Sequence, residues 1–466
     1  MSSRPAAHVA ILLLAAASPV LAGPPERQYQ VMRFEEDWSW LATSPPAKAD
    51  PFDAVKNVHA GGDWWFLLGG SVRLRFERDD NRPLGASPVE TDGVMPFRTF
   101  LHWELRHAKD FRWFAELRYS DLWDADRPVG LVWHDDPDVQ NFFVEGTLGS
   151  STKHPVSLRA GRQELLFGNE KLVSPLNWSN TRRTWDGVSI IAKTPHVRTQ
   201  VFATRPVLHE PHDLDSADDN VSFSGVTTRW KPKDGQVLEG SWWLLHDGNG
   251  KYVSERSGAT GDVDRHSFGA WYSWKQGGWS GDVEACLQRG EAADDDISAF
   301  MGTLTAGYQW AKTPGKPRAF AGWDIATGNA SPSDGKAGTF DQLYALGHMY
   351  MGHVDVVGRR NIEDLRLGFE AWPAKGRKIE MTWHRFSLEE SRDGLYDATG
   401  KLTRKDPTGA AGSDVGDELD VMFTWTWATH HWAGVEVGRF WSGDFIDRTG
   451  SGDDATLLWA GYELRF

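Results

Sequence analysis

From Trp64 to Phe466, apolar and polar residues alternate with a period of two. Val72, Leu74 and Phe76 alternate with Arg73, Arg75 and Glu77. Phe97, Thr99, Leu101 and Trp103 alternate with Arg98, His102, Glu104 and Arg106, and Leu365, Leu367 and Phe369 with Arg366, Gly368 and Glu370. This period puts one set of side chains on each face of a strand, and helical periodicity is weak throughout. About eighteen such segments start near 64, 94, 111, 138, 155, 185, 196, 221, 237, 264, 279, 300, 317, 361, 377, 414, 430 and 455. Each runs for roughly ten to thirteen residues, enough for a tilted strand to cross a bilayer. Strands of soluble proteins more often have about five or six.

The connections sort into two kinds. Lys109-Asp110, Pro195-His196, 276–278, 373–376 and Thr429-His430 are tight turns. The stretches 79–93, 122–137, 166–184, 206–220, 248–263, 328–360, 390–413 and 443–454 are long, and the two kinds alternate along the chain. A soluble sandwich has no reason to sort its loops this way. An outer-membrane barrel does, with short turns at the periplasmic end and long loops outside. The expected fold is therefore all-β: a closed antiparallel transmembrane β-barrel of about 18 strands spanning 61–466. Closure follows from the solvent, because hydrocarbon leaves no partner for an open sheet edge. The last strand puts Leu458, Ala460, Tyr462, Leu464 and the terminal Phe466 on one face, in the manner of an outer-membrane C-terminal signal.

The N-terminus sets the compartment. Arg4, the apolar run Val9 to Ala17 and Val20-Leu21-Ala22 predict a signal peptide over 1–22. The Pro-rich stretch 23–60, with Pro24, Pro25, Pro45, Pro46 and Pro51, reads as a mobile or weakly folded periplasmic leader, not a domain, and no plug domain is expected. The predicted location is the outer membrane of a Gram-negative bacterium.

Composition narrows the chemistry. The 466 residues include 25 Trp and one Cys, and the net charge is −15. A lone Cys286 excludes a disulfide scaffold, and the acidic balance excludes a basic nucleic-acid binder. Many Trp and Tyr fall near strand ends, as the aromatic girdles of a barrel require. The signs of charge are segregated. Asp crowds the long loops (Asp135, Asp136, Asp213, Asp215, Asp218, Asp219, Asp294 to Asp296, Asp453, Asp454), whereas Arg occupies polar-face strand positions. Arg73, Arg75, Arg98, Arg118, Arg159 and Arg366 should point inward, as should Arg106, Arg112, Arg198, Arg229 and Arg465.

Two readings of these arginines compete. They brace the wall by pairing with Glu77, Glu104, Glu116, Glu145, Glu370 and Glu463, or they line an electropositive constriction. Rings of Arg select anions in narrow pores, and the guanidinium fork binds carboxylates bidentately. The loops 166–184 and 328–360 carry exposed-looking apolar residues (Leu165, Leu166, Phe167, Leu172, Val173; Phe340, Leu343, Tyr344, Tyr350, Met351), so both are expected to fold inward and narrow the pore.

Other constellations are weaker. His209 to Asp213 and Asp294 to Asp296 have ligand-type residues but read as solvated outer loops, and no metal or cofactor is expected. His102, His266 and His384 are inward-facing candidates for a barrel esterase, yet no Ser-His spacing accompanies them. An enzyme is not expected.

Two blocks resemble the alginate-export family of outer-membrane barrels. The first, 161–188, contains Gly161-Arg162-Gln163-Glu164, Gly168-Asn169-Glu170, the Asn177 to Arg182 run and Trp185-Asp186-Gly187-Val188. The second, 339–373, contains Gly347-His348 and Gly358-Arg359-Arg360-Asn361. The resemblance implies a passive, polysaccharide-conducting pore with an Arg-lined constriction, to which Arg162, Arg182, Arg183, Arg359 and Arg360 correspond. The cargo is then an anionic, alginate-like polysaccharide. The alternative is a general porin for small anions or sugars. Outer-membrane lipid and a periplasmic export scaffold are the expected partners, with the barrel a monomer. The turn near Thr429 is too short to form a periplasmic plug, so gating from that side is not expected unless the 23–60 leader supplies it.

Overall fold

The computed structural model describes residues 29–43 and 50–466, except positions 83, 86, 88, 129, 131 and 332. The signal peptide expected over 1–22 lies outside these residues. Eighteen strands form the barrel: β1 (Trp64–Asp80), β2 (Thr91–His107), β3 (Phe111–Trp123), β4 (Asp135–Leu148), β5 (Val156–Gln163), β6 (Trp185–Lys193), β7 (Val197–Leu208), β8 (Val221–Trp230) and β9 (Gln236–Val253) make the first half. The second half is β10 (Thr260–Gln276), β11 (Trp279–Ala292), β12 (Asp295–Gln309), β13 (Arg318–Ala326), β14 (Ile362–Ala374), β15 (Arg377–Ser387), β16 (Asp414–Trp427), β17 (His431–Ser442) and β18 (Ala455–Arg465). Each strand pairs antiparallel with its sequence neighbours. β1 also pairs with β18, Leu74 lying opposite Tyr462, so the sheet closes without an edge.

Burial inverts the order found in soluble proteins. On β1, Arg73, Arg75 and Glu77 are 5, 2 and 3 % exposed, while Leu74 and Phe76 are 40 and 38 % exposed. Phe142, Ile190, Val201, Phe268, Leu304, Leu367 and Val437 continue the exposed apolar surface around the barrel. The charged face therefore lines the lumen and the apolar face meets lipid.

The sorting of loops holds with exceptions: 149–155 and 310–317 at the short-turn end have seven and eight residues, whereas at the long-loop end β9 and β10 are joined by six residues and β11 and β12 by Ala293-Asp294 alone, Ala293 taking φ 47°. Asp295 and Asp296, expected in a loop, belong to β12, which projects beyond the bilayer band. His266, expected inward, shares the outer face with Trp242 and Phe268 and stacks between them.

The two apolar long loops fold into the lumen. The first inner loop, 164–184, and the second, 327–361, meet through a parallel bridge between Val173 and Tyr344. Ser174 N–H donates to the Tyr344 carbonyl (3.0 Å) and Tyr344 N–H to that of Leu172 (2.9 Å). Val173, Phe340, Met351 and Val354 are fully buried and join Phe202, Phe223, Met301 and Trp459 of the wall in one apolar core. Each large side chain so buried contributes about 1.5–3 kcal/mol, which repays drawing a polar backbone into the bore.

The described residues of the N-terminal stretch pack against the barrel. Tyr29 to Thr43 and Asp50 to Lys56 sit in the short-turn end of the barrel, the periplasmic end, where the C-terminus also lies. Arg33 donates to the carbonyls of Gly70 (3.0 Å) and Phe466 (2.9 Å), and Phe34 is buried against Phe114 and Phe143. His430, in the short turn before β17, bonds Asp50 at 2.6 Å. Thus the leader, not that turn, fills the periplasmic mouth.

Candidate functional site

Arg73 on β1 and Arg98 on β2 are direct cross-strand neighbours. Like charges so placed repel and destabilise a sheet. What holds them is the first inner loop. Arg73 donates to the carbonyls of Asn177 (2.9 Å), Trp178 (3.1 Å) and Ser179 (2.8 Å), and Arg98 to those of Asn177 (3.1 Å) and Ser179 (2.9 Å). Arg75 donates to the Trp178 carbonyl at 2.7 Å and lies over its ring at 4.0 Å. Three strand arginines thus grip three consecutive loop carbonyls.

The other predicted arginines hold carboxylates. Arg118 binds Asp135 and Asp215, Arg162 takes Asp186 bidentately (2.8 and 3.0 Å), Arg159 binds Glu145 (2.7 Å) and Arg182 binds Glu164 (2.7 Å). Arg359 of the second inner loop and Arg366 of the wall share Asp324, each at 2.6 Å, and Arg360 lies 3.7 Å from Asp341. Arg75 also meets Glu77 at 2.8 Å, and Arg98 meets Glu463 at 3.9 Å. Among the described residues, only Arg73 and Arg183 of the eleven have no carboxylate within 4 Å. Arg183 donates to the Ala345 carbonyl at 3.0 Å. Burial draws its pKa down to about 10, which leaves it charged at neutral pH.

Among the described residues, nine of the eleven arginines therefore brace the wall and its inner loops through carboxylates. Yet the guanidinium groups are not fully used: the Nε atoms of Arg73, Arg75, Arg98, Arg118 and Arg182 are buried without an acceptor from the protein. Buried unpaired donors are costly and ask for an explanation. Below the first inner loop, a small space of about 60 Å³ is lined by Arg33, Arg98, Arg182 and Arg465 with Glu116 and Glu463. Its floor is the N-terminal segment. Arg33 escaped the sequence reading because its surroundings are Pro-rich; the aromatics Tyr29, Phe34, Trp38 and Trp40 around it were the available signal.

The second inner loop is pinned to the wall at β16 and β17, two to three strands from β1. Val354 N–H donates to Glu418 (2.8 Å), the His353 ring bonds Glu436, and His348 bonds Asp355 (3.1 Å) while stacking on Trp178 at 3.6 Å. Gly352, at φ 83°, lets the backbone approach so closely that a Cβ would lie 2.5 Å from Glu418. Burial would lower the His353 pKa, but Glu436 and Asp420, with Glu418 beyond, raise it to about 10. Because this lies above the ordinary value of 6.5, the contact is at full strength below about pH 6.5 and is lost as pH rises through 10. Channel openings are expected to become more frequent between pH 7 and 10 in single-channel recordings. A flat profile would remove His353 from the latch.

Three groups have metal-ligand character: His134 with Asp136 and His212, Asp135 with His209 and Asp215, and His348 with His353 and Glu436, each with ligand atoms within 4.8 Å. In the second, the Arg118 guanidinium already supplies the cation. The His209 to Asp213 stretch thus divides between two groups contributed by different loops.

The chain resembles solved outer-membrane porins in fold. Pseudomonas aeruginosa OccD3 (OpdP) matches with TM-score 0.53 and 10 % identity over 86 % of this chain and 91 % of that one. Pseudomonas aeruginosa OccK8 (OprE) gives 0.53 and 10 % over 86 % and 98 %, and Acinetobacter baumannii OccAB4 gives 0.52 and 10 % over 87 % and 99 %. No curated protein matches it in sequence. The family model "Alginate export" matches residues 64–459, from the first barrel strand to the last and through both inner loops. The chain therefore belongs to the alginate-export family, a porin-type channel of the Gram-negative outer membrane.

Proposed function

We propose that this channel lets an anionic, uronate-rich polysaccharide leave the cell by passive diffusion along its arginine-lined bore. One observation carries the reading: Arg73, Arg75 and Arg98 are held by loop carbonyls and each keeps a buried donor unspent, and Arg98 also lines the space below the loop. Those carbonyls stand where the oxygens of a passing uronate would bind. When the first inner loop moves aside, the same guanidinium forks are free to take carboxylates in turn, each bond strong enough to guide and weak enough to release. No energy input enters this scheme; the gradient of polymer drives it. A periplasmic scaffold delivering the chain to the short-turn end belongs to the same proposal.

The filled lumen favours a second reading, passage of small anions or sugars around the inner loops. Reconstitution in planar bilayers separates the two. Under the first, an oligouronate interrupts the current at concentrations where a neutral glucan of equal length does not. Indifference to the oligouronate, with small carboxylates permeating, supports the second.

A further inference from the structure

The residue after the Phe34 wedge is Glu35. Its carboxylate lies 3.2 Å from Arg198 and 3.8 Å from both Arg159 and Lys193. These cations stand at the periplasmic ends of β5, β6 and β7, and Arg112 at that end of β3 adds a fourth. Arg112 and Arg159 already share Glu145, at 3.0 and 2.7 Å. Among the described residues, Lys193 and Arg198 have no carboxylate other than Glu35 within 4 Å. Burial would raise the Glu35 pKa, yet Arg198, Lys193, Arg159 and Arg112 hold it at about 2. The carboxylate is therefore ionised at every physiological pH.

The neighbouring surface is apolar. Phe34 meets Phe114 and Phe143 edge-on, at centroid distances of 5.7 and 5.2 Å, and Arg159 lies over the Phe34 ring at 4.6 Å. A uronate residue presents this same pair of features, a carboxylate beside the C–H face of a ring, and such faces stack on aromatic side chains. The segment is held by a three-residue turn, Arg33–Glu35, by the small aromatic cluster of Phe34 with Phe114 and Phe143, and by polar contacts such as Arg112 to the Phe34 carbonyl (2.6 Å).

We propose that the Arg112–Arg159–Lys193–Arg198 cradle is the periplasmic entry site for a uronate carboxylate of the exported chain, and that Glu35 occupies it as a tethered stand-in. The N-terminal segment is then a plug that cargo displaces by competing for the same cations. This deepens the polysaccharide-export reading and rests on it.

The test uses the full-length protein in planar bilayers with a hexameric oligouronate added to the periplasmic side. Glu35→Gln keeps the shape and removes the charge. It is expected to lower the half-blocking concentration about tenfold, the factor that follows from about 1.4 kcal/mol of lost competition. Phe34→Ala, which withdraws the wedge and leaves the cradle intact, is expected to act in the same direction. If both variants match the wild type from the periplasmic side while the oligouronate still blocks from the loop side, the plug proposal falls and the export reading stands. If citrate blocks Glu35→Gln as strongly as the oligouronate does, the cradle is a site for small carboxylates and the polymer assignment is overturned. If no variant responds to oligouronate from either side, the export reading itself fails.

Discussion

Replacing Arg73 and Arg98 together by glutamate is expected to make the channel cation-selective, reversing the anion preference that the proposed function requires. The two guanidinium groups are buried cross-strand neighbours on the lumen face, so the double variant changes the local charge by about four units where screening is weak. Each charge-assisted hydrogen bond lost contributes about 1.5–3 kcal/mol, so oligouronate affinity should fall at least about 100-fold. The reversal potential in a salt gradient reads the selectivity, and the half-blocking concentration reads the affinity. Because both arginines also grip the first inner loop, Arg73→Gln with Arg98→Gln is the control: glutamine has the size of glutamate and loses the same loop contacts, so the difference between the two double variants reads the negative charge alone. An unchanged reversal potential in the glutamate variant would take this pair out of the permeation path.

Asp324→Ala is expected to unlatch the second inner loop. Asp324 is buried between Arg359 of that loop and Arg366 of the wall, at 2.6 Å from each. Arg366 keeps Asp364 at 3.3 Å, but Arg359 loses the carboxylate it depends on. Stranding a buried guanidinium costs about 3–5 kcal/mol, a cost the loop escapes by letting Arg359 move out to water. Single-channel conductance should rise severalfold, and stability measured by urea unfolding in lipid should fall. Adding Arg359→Met should restore much of the stability while leaving the loop free, since the stranded charge is gone. Wild-type conductance in Asp324→Ala would show that the apolar contacts of Val173, Tyr344 and Met351 hold the loop unaided.

The barrel was legible because a lipid-facing strand must alternate: Leu74 and Phe76 outward, Arg73 and Arg75 inward. The inward folding of 164–184 and 327–361 was legible for a related reason, since Phe167, Val173, Phe340 and Met351 had nowhere else to be buried. Family membership was legible in the Asn177 to Arg182 and Gly358 to Asn361 blocks, whose side chains tie loops to the wall. Asn180 donates to three separate carbonyls, and Asn361 bridges to Glu390 and Gly394. What each arginine binds was not legible. Arg73 meets Asn177 across about a hundred residues, and only the closed register brings them together. The plug was hidden because a three-residue turn carries no periodicity and its prolines resemble those of a flexible leader. The His266 phase was missed because a one-residue shift reverses every side chain of a strand.

The most direct measurement is current block of the wild-type channel by an oligouronate set against a neutral glucan of equal length. Interruptions of the current by the oligouronate alone, shortened by Arg73→Glu with Arg98→Glu, are the result this account predicts. Equal behaviour of the two sugars, in wild type and variant alike, would contradict it.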